Sequence, residues 1–303
     1  MQAIQLLHGM KIGHAAVDNR TGVSVILAPE GTVGGVSVKG CAPGTRETDL
    51  LQPEKAIERI DAIVLAGGSA FGLASCDGVM RYLKEEGIGH AVGNIKIPLV
   101  SGAVIFDVQD NGSTFVFPDS NTGYIACKNA TDTPSKWGSV GVGIGATVGK
   151  ILGAAHSQKG GLGAATVTLG DVFVTAITVC NALGDVVNAQ TGELVAGVHD
   201  GNGNLLGTQN LILSGKLSAH MGGNTTLSCV ITNAKLSKLQ AHKLAHIAHS
   251  GYAKSINPVH TDYDGDTIFC LSNGNAQMDF TALSVMAVEA VSQSIVHSVK
   301  AQS

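Results

Sequence analysis

Three stretches of the 303-residue sequence carry residue types that could do chemistry. The first is Gly222-Gly223-Asn224-Thr225-Thr226-Leu227-Ser228-Cys229-Val230-Ile231-Thr232, a flexible tripeptide that runs directly into a β-branched segment whose first residue carries a hydroxyl. Gly-Gly-Asn is ordinary turn chemistry, so one reading is a turn entering a strand. The other is a self-cleavage site between Asn224 and Thr225, which would leave Thr225 as a new N-terminus holding a hydroxyl nucleophile and an amine base. The pattern alone leaves both open. The second stretch, Asp262-x-Asp264-x-Asp266, spaces carboxylates as a calcium loop begins, but Thr267 stands where a glycine is required and Asn273 where a bidentate Glu is required. The third is the glycine-dense segment from Gly138 to Gly170. Its Gly149-Lys150 ends like a phosphate-binding loop, yet Ile144 replaces the first glycine and Ile151 the final Ser or Thr. Gly141-x-Gly143-x-x-Ala146 fits a dinucleotide fingerprint only loosely, with no clear strand before it and Thr166 where an acid belongs. A metal-binding or nucleotide-binding function is therefore poorly supported, and neither a metal nor a cofactor is expected.

Such residues need strands and helices to hold them, and the patterning supplies both. Val23 to Ala28 and Thr32 to Val38 are β-branched runs around Pro29-Glu30-Gly31, which predicts a hairpin. Glu47 to Ile60, with Pro53 near a start signal, predicts a short amphipathic helix. Asp61 to Ala66 predicts a buried strand that enters Gly67-Gly68-Ser69-Ala70-Phe71-Gly72, then a helix to Glu86 closed by Gly87. Val100 to Val108 and Val172 to Asn181 predict further strands, and the polar stretch Gln109 to Trp137 predicts a loop at the rim of a cleft. Residues 189–223 have the weakest pattern, and an accessible processing loop is expected there. Ser237 to Lys254 predicts a helix, Thr267 to Leu271 a strand, and Met278 to Lys300 a long helix with Leu283, Met286, Ala287 and Ala290 on its apolar face. There is no regular βαβ rhythm and no internal repeat, so helices outside two packed sheets fit better than a doubly wound sheet.

Composition narrows the class. Charged residues make up 14% and hydrophobic residues 44%, against about 25% charged in an average globular chain. That leaves little polar material to cover a monomer, and a homo-oligomer is expected. The net charge of -4 comes with no Lys/Arg cluster, which argues against a nucleic-acid partner. No apolar signal core follows Met1, and no continuous apolar stretch reaches the roughly 18 residues of a membrane span, so a cytoplasmic location and no membrane partner are expected. Six well-separated cysteines without a Cys-x-x-Cys pair predict buried free thiols.

Four motifs in fixed order add what pattern cannot. Asp61-Ala-Ile-Val-Leu-Ala-Gly-Gly-Ser-Ala-Phe-Gly-Leu73, Gly78-Val-Met-Arg-Tyr-Leu83, Val179-Cys-Asn-Ala-Leu-Gly-Asp185 and Asn224-Thr-Thr-Leu227 together resemble the DmpA-type aminopeptidases, a family of N-terminal-nucleophile hydrolases that includes β-aminopeptidases and the nylon-oligomer (6-aminohexanoate oligomer) endohydrolase. The resemblance spans nearly the whole chain. It implies an α/β fold of four αββα layers related to ornithine acetyltransferase, a single domain split into residues 1–224 and 225–303, and a tetramer of processed units. It implies an amidohydrolase acting on short peptides or ω-amino acid oligomers through an acyl-Thr225 intermediate, or, alternatively, an acyltransferase. The Asn224-Thr225 junction and the Asp264-Gly265-Asp266 run are most similar to the nylon-oligomer branch, whose nucleophile is threonine, whereas the other branches use serine with a Ser/Glu pair at those acids. By the same resemblance Lys150 lies near the nucleophile, Asn181 serves the oxyanion, and Asp264 and Asp266 orient the Thr225 amine or hydroxyl. Phe106 stands where a tyrosine of the other branches helps bind the oxyanion or the substrate amine, a contact that a phenyl ring cannot make in the same way.

Overall fold

Strands that are apolar on both faces must be covered on both faces. Thr21–Leu27, Ala62–Ala66 and Val172–Asn181 are each buried from end to end, and the chain covers them with four layers. The computed structural model describes residues 3–108, 115–216 and 223–301. One five-stranded sheet has the order Lys11–Val17, Thr21–Leu27, Ala62–Ala66, Val100–Val104, Thr45–Arg46; the other runs Gly161–Leu169, Val172–Asn181, Thr225–Ala234, Thr267–Ala276, Val33–Val38. Ile63, Leu65 and Ile105 from the first meet Ile177, Leu227, Ile231 and Phe269 from the second in a shared core. Helices α1 (Ser75–Glu85) and α2 (Ser120–Lys128) close the outer face of the first sheet through Cys76, Val79, Leu83 and Ala126. A short α3 (Thr208–Leu213) packs through Leu211 on Ile151, Leu183 and Val198. Helices α4 (Lys238–Ser255) and α5 (Phe280–Lys300) close the second sheet through Leu244, Ala245, Ala248, Leu283, Ala287 and Ile295. This is the αββα architecture expected from the sequence.

The strand Thr225–Ala234 occupies the middle of its sheet. It pairs antiparallel with Val172–Asn181, placing Asn181 opposite Thr225, and parallel with Thr267–Ala276, placing Leu227 opposite Thr267. Glycines let the outer helices lie directly on this sheet: a Cβ on Gly163 would sit 2.2 Å from the Ser294 carbonyl oxygen of α5.

Several expectations need correcting. Val33–Val38 does not form a hairpin with Thr21–Leu27; it crosses to the other sheet and pairs with Thr267–Ala276, because both runs are apolar and each demands its own buried partners. The segment 47–60 is not an α-helix but a single 3₁₀ turn at Asp49–Leu51. The carbonyls of Leu50 and Lys55 accept instead from Lys238 Nζ, and Pro53 cannot donate into a helix. The predicted rim loop contains α2, started by Asp119 and Thr122 bonding each other's backbone amides. That helix lies so close to α1 that a Cβ on Gly78 would meet the Ser120 carbonyl oxygen at 1.7 Å. The strand from Val100 ends at Val104. Helix α5 is apolar and long enough to cross a membrane by composition, at odds with the expectation from continuous runs, and 61% of its most apolar window is buried in the protein. Cys41 is exposed, unlike the other five cysteines. Gly222, residues 109–114 of the predicted rim and residues 217–222 of the predicted processing loop lie outside the described residues.

Candidate active site

The sheet register brings the predicted residues together at one end of the Thr225 strand. Thr225 itself has φ 144°, a conformation that a β-branched side chain strongly resists. Its Oγ1 accepts a hydrogen bond from the Gly265 amide at 3.0 Å. Gly265 can approach only because it lacks a side chain, since a Cβ there would stand 2.8 Å from Thr225 Oγ1. Asn224 and Thr225 are 2% and 3% exposed, so their shared peptide bond is buried, just beyond the stretch 189–223 in which an accessible loop is expected.

Lys150 reaches this junction from the glycine-dense segment. Its ammonium donates to the Gly223 carbonyl at 2.6 Å, to Asn181 Oδ1 at 2.7 Å and to the Asn181 carbonyl at 3.0 Å. Burial pushes Lys150 down to about 7, while the charges of Asp264 and Asp107 pull the other way. Asn181 is fully buried; its Oδ1 also accepts from the Thr147 amide at 3.0 Å, and its Nδ2 donates to the Phe106 carbonyl at 3.0 Å. Phe106 therefore contributes its backbone to Asn181, and its ring, 41% exposed, covers Gly223.

The two acids face different partners. Asp266 Oδ1 accepts from the Thr226 amide at 2.7 Å. Asp264 Oδ2 accepts from the Thr261 amide and hydroxyl at 2.8 and 2.6 Å, and its buried Oδ1 has no hydrogen-bond partner among the described residues. Burial, then the charge of Asp266, pushes the Asp264 carboxyl up to about 6. Among the described residues no group of three or more His, Cys, Asp and Glu could hold a metal ion.

A cavity of about 270 Å³ opens onto Thr225, walled by Phe106, Tyr263, Ser69, Ala70, Pro43 and Val104. Asp107, adjacent to Phe106, shapes one wall: its Oδ1 accepts from the Gly68 amide and its Oδ2 from the Thr21 hydroxyl, both at 2.7 Å, pinning the turn that presents Ser69 and Ala70. Sequence reasoning quoted that turn without assigning it to the site. It gave no role to Gly265, which it quoted only as the residue between two acids, and none to Tyr263 or His260. A held hydroxyl that opens onto a cavity, and a part-buried lysine, a carboxamide and two buried carboxylates behind the cavity wall, are parts an acyl-transfer site needs.

Known proteins share both the sequence and the fold. Peptidase family S58 matches residues 2–303. The chain belongs to that family. As a member of a peptidase family it is a hydrolase of peptide or amide bonds. It is 37% identical over 317 residues to an uncharacterized aminopeptidase of Mycobacterium leprae, covering 93% of this chain and 81% of the relative. A 6-aminohexanoate-oligomer endohydrolase of Paenarthrobacter ureafaciens is 32% identical over 300 residues, with the same two coverages of 93% and 81%. Among solved structures, the L-aminopeptidase D-Ala-esterase/amidase of Ochrobactrum anthropi, described as a variant of the Ntn-hydrolase fold, superposes with a TM-score of 0.71 at 15% identity, over 99% of this chain and 88% of that one. A Burkholderia β-aminopeptidase gives 0.69 at 20% identity, over 97% and 84%. At those identities the structural likeness establishes the fold.

Proposed function

We propose that this family member is a self-processing amidohydrolase that cuts its own chain between Asn224 and Thr225 and then uses Thr225 on short peptides or ω-amino acid oligoamides. The observation that carries the reading is the geometry of Thr225: a buried, β-branched residue at φ 144° with its hydroxyl held by the Gly265 amide. In the uncut chain the Thr225 oxygen attacks the Asn224 carbonyl carbon, the acyl group shifts from nitrogen to oxygen, and water releases the ester. Backbone strain of about 1–3 kcal/mol at such a residue favours the cut, because φ is unconstrained once the peptide bond is gone.

After cleavage the Thr225 amine, with an ordinary pKa near 8, takes the proton of its own hydroxyl as that hydroxyl attacks the substrate amide. The Gly265 amide stays within reach of the oxygen, and Asp266 holds the Thr226 amide so that the first peptide of the new chain keeps its orientation. Lys150, bonded to the Gly223 carbonyl one residue before Asn224, brings positive charge to the junction, and the Asn181 carboxamide beside it would serve the oxyanion. The phenyl ring of Phe106 offers an apolar wall, which suits a methylene-rich or small aliphatic acyl group. The 6-aminohexanoate-oligomer endohydrolase relative supports the oligoamide part of the reading. Processed units assembling as a homo-oligomer, a tetramer by resemblance, complete the proposal.

Mass spectrometry of purified protein is expected to find two fragments, residues 1–224 and 225–303, and Thr225→Ala is expected to remain whole and inactive. A wild-type sample that hydrolyses amides as one intact chain would defeat this mechanism.

A further inference from the structure

His260 is a side chain at this site for which the mechanism above has no role. It lies between the short strand Ile256–Asn257 and the strand beginning at Thr267, with its backbone at φ 54°, a conformation costly for a non-glycine residue. Its Nδ1 is 2.7 Å from Asp266 Oδ2, and its own amide donates to the same oxygen at 3.3 Å. The other oxygen of that carboxylate is the one that accepts from the Thr226 amide at 2.7 Å. Nδ1 facing a carboxylate is the donor of the pair, and among the described residues the opposite ring nitrogen is buried with no hydrogen-bond partner, which leaves the Asp266 contact as the ring's one hydrogen bond there.

The ring is clamped from α4. His249 stands 5.0 Å away edge to face and Tyr252 5.9 Å away, measured between ring centres. Tyr252 in turn donates to Ser228 Oγ at 2.9 Å, on the strand that begins at Thr225. Burial holds His249 neutral, down at about 3, with the charges of His260, Lys39 and His246 acting in the same direction. The titratable and charged groups around His260 are thus Asp266 on its own side, His249 and Tyr252 on α4, Lys39 and His246 beyond them, and across the carboxylate Asp264 with Lys150.

We propose that His260 is a positioning residue of the site: its Nδ1–H fixes the rotamer of Asp266, which fixes the Thr226 amide and hence the direction of the Thr225 hydroxyl and of the amine freed from it. The inference rests on the Thr225 reading and adds a residue to it. Two buried acids, 2% and 1% exposed, sit two residues apart, and Asp264 already feels the charge of Asp266. The His260 N–H offsets that charge at Asp266 Oδ2. Removing it frees Asp266 to rotate and strengthens the repulsion on Asp264.

The test uses the full chain made by cell-free synthesis, with self-cleavage followed by mass spectrometry from acid to neutral pH, for wild type, His260→Ala, His260→Asn and Thr225→Ala. Processed protein is then assayed for kcat and KM on L-alanine p-nitroanilide. His260→Ala is expected to cleave itself about 10- to 100-fold more slowly, the range a slightly misplaced reacting group produces. Any turnover of the anilide is expected to lose kcat with KM within a few-fold. Its acid limb is expected to move to higher pH, and His260→Asn, whose carboxamide restores an N–H donor, to recover most of the rate. A His260→Ala rate and acid limb equal to wild type would overturn the proposal, as would His260→Asn folding with wild-type thermal stability but cleaving no faster than the alanine variant. If His260→Ala fails to fold, His260→Phe, which keeps a ring against His249 and Tyr252 but has no N–H, takes its place with the same expected slowing and the same overturning result. Thr225→Ala separates the two claims: cleavage persisting in that variant removes the nucleophile itself, whereas cleavage lost there but untouched by either His260 variant removes His260 only.

Discussion

At the scale of single residues, the site holds charges where burial opposes them. The Asp264 carboxyl, ordinarily near 3.8, is pushed up to about 6 even with Lys150 attracting its charge. Between those two values the folded chain binds more protons than the unfolded one, so stability falls as pH rises through the window, and the full cost is present above it. Asp264→Asn is therefore expected to melt higher than the parent at neutral pH, by on the order of 1–2 kcal/mol. The gain is expected to vanish below the ordinary value of 3.8. Thermal denaturation at both pH values checks this, and a gain independent of pH would contradict it. Lys150 has the opposite sign: its folded value of about 7 lies below the ordinary 10.5, so its cost is complete below 7 and is relieved as pH rises toward 10.5. Asn181→Ala removes the Oδ1 partner of Lys150 together with the carboxamide, and a fall in kcat of about 10²-fold is expected. Steady-state kinetics showing near-normal turnover would take Asn181 out of the site.

At the scale of elements, close approach permitted by glycine does two separate jobs. Between the acids, Gly265 brings a backbone amide onto Thr225 Oγ1; Gly265→Ala would crowd both that oxygen and the Ala42 carbonyl, whose distances from an added Cβ are 2.8 and 2.7 Å. Self-cleavage is expected to slow sharply while the far-ultraviolet circular dichroism stays that of the parent. Within the sheet, Gly163 lets α5 touch the strand Gly161–Leu169 far from Thr225. Gly163→Val is expected to cost about 1–3 kcal/mol in denaturant unfolding by overpacking, and the protein that still folds is expected to cleave itself. If the first variant cleaved normally and the second did not, the division between site glycines and packing glycines would fail.

At the scale of the whole molecule, the proposed cut does not divide the structure. The strand Thr225–Ala234 remains hydrogen-bonded to Val172–Asn181 on one side, and Thr267–Ala276 remains bonded to Val33–Val38 on the far side of the same sheet. Helix α5 stays packed on Gly161–Leu169 and Val172–Asn181, which belong to the larger fragment. Both fragments are therefore expected to elute together in native size-exclusion chromatography and to separate only in denaturant. Separation under native conditions would mean that this sheet does not survive the cut.

What the sequence determines by itself is what neighbouring residues decide among themselves. Val172–Asn181 reads as a strand from its β-branched run, and the helix expected from Ser237 to Lys254 is α4, whose start the structure shows capped by Ser237 and Gln240. The Asn224-Thr225 junction reads as a hydroxyl at a strand entrance, and four ordered motifs were enough to indicate the family and the four layers. Lys150 and Asn181 had no local signal of their own and entered only through that resemblance. Tertiary structure alone decides that Val33–Val38 leaves its sequence neighbour for a strand more than two hundred residues away, that the weak helix propensity of Ser120–Lys128, which contains Gly123, is overridden by packing on α1, and that His260 reaches Asp266. The reason is physical: periodicity and capping act over one or two turns of chain, whereas pairing, burial and the torsion of Thr225 are set by partners distant in sequence.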